Sequence, residues 1–249
     1  MPVDTKYITI LRSPVDNVES VFGFFQDQEP FQSDPKKDGL EGRRNSKGWM
    51  DSNEVTSRLG LFYQNPTQYF NTDTDWFFRS RNHMFFDNGL NILATDDQYI
   101  DSKIAELSST YTFVLLTDYF DESLILMKHL LCWDWQDVVY VKFKMRIAEA
   151  KSNITPELAE QIKTWNYADV KLYNFFNQTF WKKVEDFGFE RMESMKYEFG
   201  LMQKKAEKDC IDSYVPFKKK PWILGAKLKR NPTDRCKHLA WSETVYSPG

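Results

Sequence analysis

ITILRSPVDNVES, residues 8–20, decides how this chain is read. The run KYITIL (6–11) is rich in β-branched residues and predicts a buried strand. Ser13 then suits a helix N-cap, and Pro14 suits the first helical position, where a missing N–H costs nothing. Val15, Val18, Phe22 and Phe25 recur at helical spacing, so a helix is expected to about residue 25. Strand, tight turn and helix make half of a βαβ unit. Arg12 closes the strand, and Ser20 follows eight positions later. A helix N-terminus after a strand offers free N–H groups and a positive dipole end. An arginine there adds a planar fork of donors, and a serine about two turns into the helix adds a hydroxyl. The pattern suits a grip on an anion such as phosphate. Its plain alternative is a surface arginine beside a capped helix.

Working outward, residues 26–57 are polar, mixed in charge and broken by Pro and Gly; they read as a lid or acceptor loop. Arg43, Arg44 and Lys47 in that loop could meet an anionic ligand or simply face solvent. Helical, aromatic-rich sequence resumes near residue 54. Within 75–86 (DWFFRSRNHMFF), the aromatics predict a core face and Arg79 and Arg81 predict solvated charges. Residues 96–109 predict a short amphipathic helix. YTFVLL (111–116) is an apolar run of the kind buried in a parallel sheet. A helix marked by Leu124, Met127 and Leu131 follows it. VVYVKFKMR (138–146) alternates and predicts a third, half-exposed strand. Helices dominate the last hundred residues, with a start at Thr155-Pro156-Glu157 and a stop at Gly188. The basic stretch FKKKPWILGAKLKRN lacks periodicity. There is no internal repeat.

Composition narrows the field. The chain has 249 residues, 41% of them hydrophobic, enough for one large domain or two small ones. Its formal net charge of −3 gives no global basic field, so no nucleic-acid partner is expected. Three cysteines are too few for a disulfide scaffold or a zinc site, and no metal is expected. Cys210 and Cys236 are the one pair considered for a disulfide; free thiols are the alternative. No run approaches the roughly 20 apolar residues of a membrane span, and the N-terminus lacks the regions of a signal peptide. Two glycosylation sequons begin at Asn153 and Asn177. P-loop, dinucleotide-binding, nucleophile-elbow and zincin motifs are all absent. His83, His129 and His238 have no neighbouring acid in a recognisable pattern, so each is a poor general base. Asp121 and Glu122 in YFDES are expected to cap the following helix or to touch a ligand at a strand's end.

Against this background, ITILRSPVDNVESVF resembles the 3'-phosphate-binding motif of sulfotransferases that use 3'-phosphoadenosine 5'-phosphosulfate. In that superfamily an arginine ending a strand and a serine eight residues later hold the 3'-phosphate; Arg12 and Ser20 match. Three further stretches narrow the resemblance to the galactose-3-O-sulfotransferase family: FVLLTDYFDESLILMKHLLCWDWQDVVYVKFKMR (113–146), TWNYADVKLYNFFNQTFWKKVEDFGFERM (164–192) and, more loosely, WILGAKLK (222–229). The likeness covers nearly the whole chain and is weakest across 26–57. The sequon at Asn177 also falls where the family tends to carry one. A departure is the motif that often reads Lys-Leu-Asn-Ala-Arg in the family and here reads Lys142-Phe-Lys-Met-Arg146.

The resemblance implies an α/β, P-loop-NTPase-like sulfotransferase fold: one domain over residues 1–249, a parallel sheet flanked by helices, and a mostly helical C-terminal third. In the family a strand, a lysine-containing phosphosulfate loop, the histidine that acts as base and a membrane anchor all precede the arginine motif. The chain thus resembles the C-terminal two-thirds of such an enzyme: a truncated gene model, a fragment or a decayed copy. The first strand and phosphosulfate loop are expected to be missing, and no catalytic residue is expected in the chain. The implied reaction transfers a sulfuryl group from 3'-phosphoadenosine 5'-phosphosulfate to the 3-hydroxyl of a terminal galactose, on a glycolipid or glycan acceptor. Arg12 and Ser20 would bind the cofactor, and the isolated chain would be inactive. For the full-length member a Golgi location is implied, with membrane attachment only through the missing anchor. The alternatives are a non-catalytic descendant that binds a nucleotide or a partner, and a different P-loop-like transferase or kinase.

Overall fold

The computed structural model describes residues 4–25 and 52–240. In chain order they form β1 (Ile8–Leu11), α1 (Pro14–Phe25), α2 (Ser52–Gln64), α3 (Pro66–Tyr69), α4 (His83–Asp87), α5 (Asp97–Thr110), β2 (Phe113–Leu116), α6 (Phe120–Leu131), α7 (Trp135–Val138), β3 (Met145–Arg146), α8 (Pro156–Trp165), α9 (Tyr167–Phe187), α10 (Phe189–Cys210), β4 (Ile211–Pro216), β5 (Ile223–Leu228) and α11 (Asp234–Leu239). They divide into two compact units: residues 1–120 with 149–183, and residues 121–148 with 184–249.

The first unit holds the parallel pair. β1 and β2 run in register from Ile8 opposite Phe113 to Leu11 opposite Leu116. All four β2 residues are buried, as a continuous apolar run in a parallel sheet requires. Beside the sheet, Val18, Val21 and Phe22 of α1 pack with Val55, Leu59 and Phe62 of α2 and with Leu158 and Ile162 of α8. Each such side chain contributes about 1.5–3 kcal/mol on burial. The predicted helix is present, with Val18 and Phe22 on its buried face, and the predicted strand is present at Ile8–Leu11; it is not the buried strand expected, since Ile10 is 46% exposed and Leu11 alone is buried.

A buried polar node locks the same unit. Asn82 adopts a left-handed backbone (φ 44°), a conformation asparagine tolerates. Its N–H donates to Asn166 Oδ1 at 2.8 Å, and its Nδ2 donates to the Ile92 carbonyl at 2.8 Å. Asp169 of α9 accepts the second and third N–H groups along α4, from Met84 at 3.1 Å and Phe85 at 2.8 Å. A carboxylate from a distant helix thus caps α4.

The second unit contains a three-stranded sheet in the order β3-β5-β4, antiparallel throughout. Here the structure departs from the sequence reading. The strand expected at 138–146 reduces to Met145–Arg146, and it joins this sheet rather than the parallel one. Val139 and Val141 are buried and Lys142 and Lys144 exposed, as the alternation implied. The backbone, however, does not pair: the Tyr140 N–H goes to Gln203 Oε1 at 2.9 Å, and Lys144 turns to φ 56°. The basic stretch near the C-terminus, residues 217–231, which showed no period, supplies the turn and second strand of the β4–β5 hairpin. Its short strands and their shift in register between Ile211 and Ser213 erase the alternation. Of the expected lid, residues 26–51 lie outside the described residues, and 52–57 belong to α2. No helix among the described residues is long and apolar enough to cross a membrane.

Candidate functional site at the ends of the parallel strands

The register of the parallel pair brings two loops to one end. Arg12 and Ser13 leave β1 where Thr117 and Asp118 leave β2, the end at which open α/β sheets receive ligands. The Ser13 N–H donates to Asp118 Oδ2 at 3.0 Å, and the Arg12 N–H donates to Met84 Sδ at 3.4 Å. Tyr173 of α9 also hydrogen-bonds Asp118; burial, then the Asp118 charge, raises its phenol above the usual range. The Ser13 carbonyl accepts the Asn17 N–H at 2.8 Å, starting α1. Ser20 lies seven residues beyond Ser13, so about two turns up the same helix face. Arg12 and Ser20 are both half-buried. Among the described residues the Arg12 guanidinium forms no ion pair. Asp118 and Tyr173 escaped the sequence reading. The signal was available, since Asp118 follows its strand as Ser13 follows its own.

The other predicted residues fall elsewhere. Asn153 is exposed just before α8, and its sequon hydroxyl, Thr155, caps that helix by accepting the Leu158 N–H at 3.2 Å. Asn177 sits within α9 with its Oδ1 buried and without a hydrogen-bond partner among the described residues. In the second unit a disulfide joins Cys210 to Cys236, with an S–S length of 2.04 Å. Cys132 is free and exposed.

Three local expectations are corrected. Asp121 and Glu122 do not serve as helix caps: Asp121 accepts the Tyr140 hydroxyl at 3.1 Å, and Glu122 pairs with Lys196 at 2.8 Å. Asp121 and burial push the Tyr140 phenol up to about 12, burial being the larger cause. Arg79 and Arg81 are not solvated charges. The Arg79 guanidinium lies 3.6 Å from the Phe25 ring centroid and 3.9 Å from that of Trp76, and Arg81 lies 4.4 Å from Trp165. His83 does have an acid neighbour, Asp87, one turn on at 3.7 Å. Burial nevertheless lowers the His83 pKa, and the ring is stacked on Phe78. Among the described residues no group of three His, Cys, Asp or Glu side chains could hold a metal ion.

Comparison with known proteins identifies the family. The family model described as Galactose-3-O-sulfotransferase matches residues 1–232. The galactosylceramide sulfotransferase of Bos taurus is 32% identical over 260 residues, covering 96% of this chain and 57% of that protein. The galactosylceramide sulfotransferase of Homo sapiens is 30% identical, covering 99% of this chain and 59% of its own length. Galactose-3-O-sulfotransferase 2 of Sus scrofa is 29% identical, with 97% and 56% covered. The chain thus spans somewhat more than half the length of these three relatives. No solved structure matches it. On the family match over nearly its whole length, the chain belongs to the galactose-3-O-sulfotransferase family.

Proposed function

We propose that this protein takes part in transfer of a sulfuryl group from 3'-phosphoadenosine 5'-phosphosulfate to the 3-hydroxyl of a terminal galactose, on a glycolipid or glycan. The supporting observation is the β1–turn–α1 element at the ligand-receiving end of the parallel pair, with Arg12 at the strand's end and Ser20 two turns along the helix. The donor set suits a phosphate dianion: a guanidinium gives a bidentate charged contact and a hydroxyl gives a further hydrogen bond. Asp118 already takes the Ser13 N–H, so Arg12 and Ser20, rather than that backbone donor, would hold the 3'-phosphate. Bound, the cofactor supplies the activated sulfuryl group. The chain's own residues bind and orient it, which places the donor for in-line attack.

The phosphosulfate loop and the base belong, in this reading, to the part of the relatives that this chain does not span. The fold is the family's P-loop-like sheet, and the protein works in the Golgi lumen. Titration of the 249-residue chain with adenosine 3',5'-bisphosphate by calorimetry tests the central claim. Arg12→Ala and Ser20→Ala are each expected to weaken binding about tenfold or more. Unchanged affinity in both would remove the assignment. Transfer of labelled sulfate to galactosylceramide is expected to be negligible for this chain alone, and measurable turnover would refute that part.

A further inference from the structure

The second unit carries a cavity of about 920 Å³ framed by the end of α10, α11 and the segment that joins β5 to α11. Four cations line it: Lys205, Lys229, Arg230 and Arg235. Among the described residues two acids do, Asp134 and Asp209, and Asp134 is engaged in a capping box with Asp137 at the start of α7. Lys229 donates to the Lys208 carbonyl. Among the described residues Lys205, Arg230 and Arg235 have no carboxylate partner. A cationic concavity in a chain of net charge −3 is therefore a local concentration of positive charge and not a sample of the whole surface.

The frame around it is well defined. The buried disulfide between Cys210 and Cys236 forms part of the wall and closes the 26-residue stretch that bears Lys229, Arg230 and Arg235. Thr233 accepts the Cys236 N–H at 3.3 Å and starts α11. Asn231 turns the backbone at φ 55°, the left-handed region that suits asparagine. The two unpaired guanidinium groups are suited to bidentate contact with a tetrahedral oxyanion. The cavity exceeds what a single sulfate fills and matches a small organic ligand. Trp135, Met202 and Leu239 supply apolar lining.

We propose that this cavity binds a sugar carrying a tetrahedral oxyanion ester, sulfate or phosphate. That chemistry has two sources within the proposed reaction, the sulfated galactoside and the nucleotide. The inference rests on the charge and shape of the cavity, and it survives if Arg12 and Ser20 prove to bind nothing.

Calorimetric titration of the full chain with galactose 3-sulfate and, separately, with adenosine 3',5'-bisphosphate tests it. The variants are Arg230→Ala/Arg235→Ala, the charge-matched control Lys218→Ala/Lys219→Ala outside the cavity, and Arg12→Ala. The cavity variant is expected to weaken one of the two ligands at least tenfold, while the lysine control leaves that ligand's affinity unchanged. The ligand that responds identifies the source. Loss confined to Arg12→Ala, equal loss in the lysine control, or no binding of either ligand to the parent chain overturns the proposal. Thermal midpoints of the variants separate lost binding from lost folding, and Arg230→Lys/Arg235→Lys is expected to restore part of the affinity.

Discussion

Ser13 and Asp118, 105 residues apart, are joined by a 3.0 Å hydrogen bond from the backbone of the first to the carboxylate of the second. The same carboxylate hydrogen-bonds Tyr173. One acid thus ties the β1–α1 turn, the end of β2 and the middle of α9 together. Asp118 is exposed, so each bond is worth about 1 kcal/mol and no more. Asp118→Asn and Tyr173→Phe are each expected to lower stability in urea denaturation by about that amount. Because they share a partner, the double variant should lose less than the sum. Strict additivity would show that the residues act separately.

Asp169 gives a pH signature. Burial pushes its carboxyl up to about 7, against the pull of the Phe85 and Met84 N–H bonds. In the unfolded chain it ionises near 3.9. Between about pH 4 and 7 the folded state holds a proton that the unfolded state has released, so stability falls as pH rises through that window and levels off above it. Asparagine does not titrate, and it cannot accept both N–H groups as well as a carboxyl can. Asp169→Asn should therefore be destabilised relative to the parent at pH 5. The gap should narrow by about 2–3 kcal/mol on moving to pH 8. Denaturation midpoints of both proteins at the two pH values measure it; a gap that widens with pH contradicts the assignment.

Lys144 has φ 56°, a conformation that favours glycine and tolerates asparagine. The family motif that resembles residues 142–146 places asparagine here. Lys144→Asn is expected to raise stability by about 0.5–1 kcal/mol, seen as a higher thermal midpoint; a lower midpoint would show that the lysine's contacts outweigh its backbone strain.

The site's main element was legible because its signals are local. Strand, proline and helix period in residues 6–25 each depend on neighbours a few positions away, and each is present. β2 was legible as a short continuous apolar run. The β4–β5 hairpin was not, since its strands pair across a shift in register and alternate poorly. Asp118, Tyr173 and Asp169 act through contacts more than 50 residues away in sequence, so no window of sequence contains both partners. Arg79 was misread for a related reason. Beside Trp76 it looks like a surface charge, and only the return of Phe25 encloses it.

Arg79 accordingly offers a stability test. The residue is 8% exposed, and its guanidinium lies near the rings of Phe25 and Trp76. Lysine keeps the charge but has no plane to stack and a more strongly hydrated head. Arg79→Lys should cost about 1–2 kcal/mol. If stacking is the source, Trp76→Ala should cost less in the Arg79→Lys background than in the parent protein. Equal costs in both backgrounds would assign the loss to other contacts.

The last test concerns the disulfide that borders the cationic cavity. Cys210 and Cys236 are buried and close a 26-residue loop around the β4–β5 hairpin, whereas Cys132 is exposed and free. Iodoacetamide should therefore modify one thiol in the native, unreduced protein and three after reduction in denaturant. A cross-link over a loop of this length constrains the unfolded chain by about 3 kcal/mol. Cys210→Ala/Cys236→Ala should lower unfolding stability by that order and make it insensitive to reductant. The loop also bears Lys229, Arg230 and Arg235, so the same variant should bind the anionic sugar more weakly than the oxidised parent under conditions where both are folded. Three reactive thiols in the native protein would remove the cross-link, and with it the fixed frame on which the cavity depends.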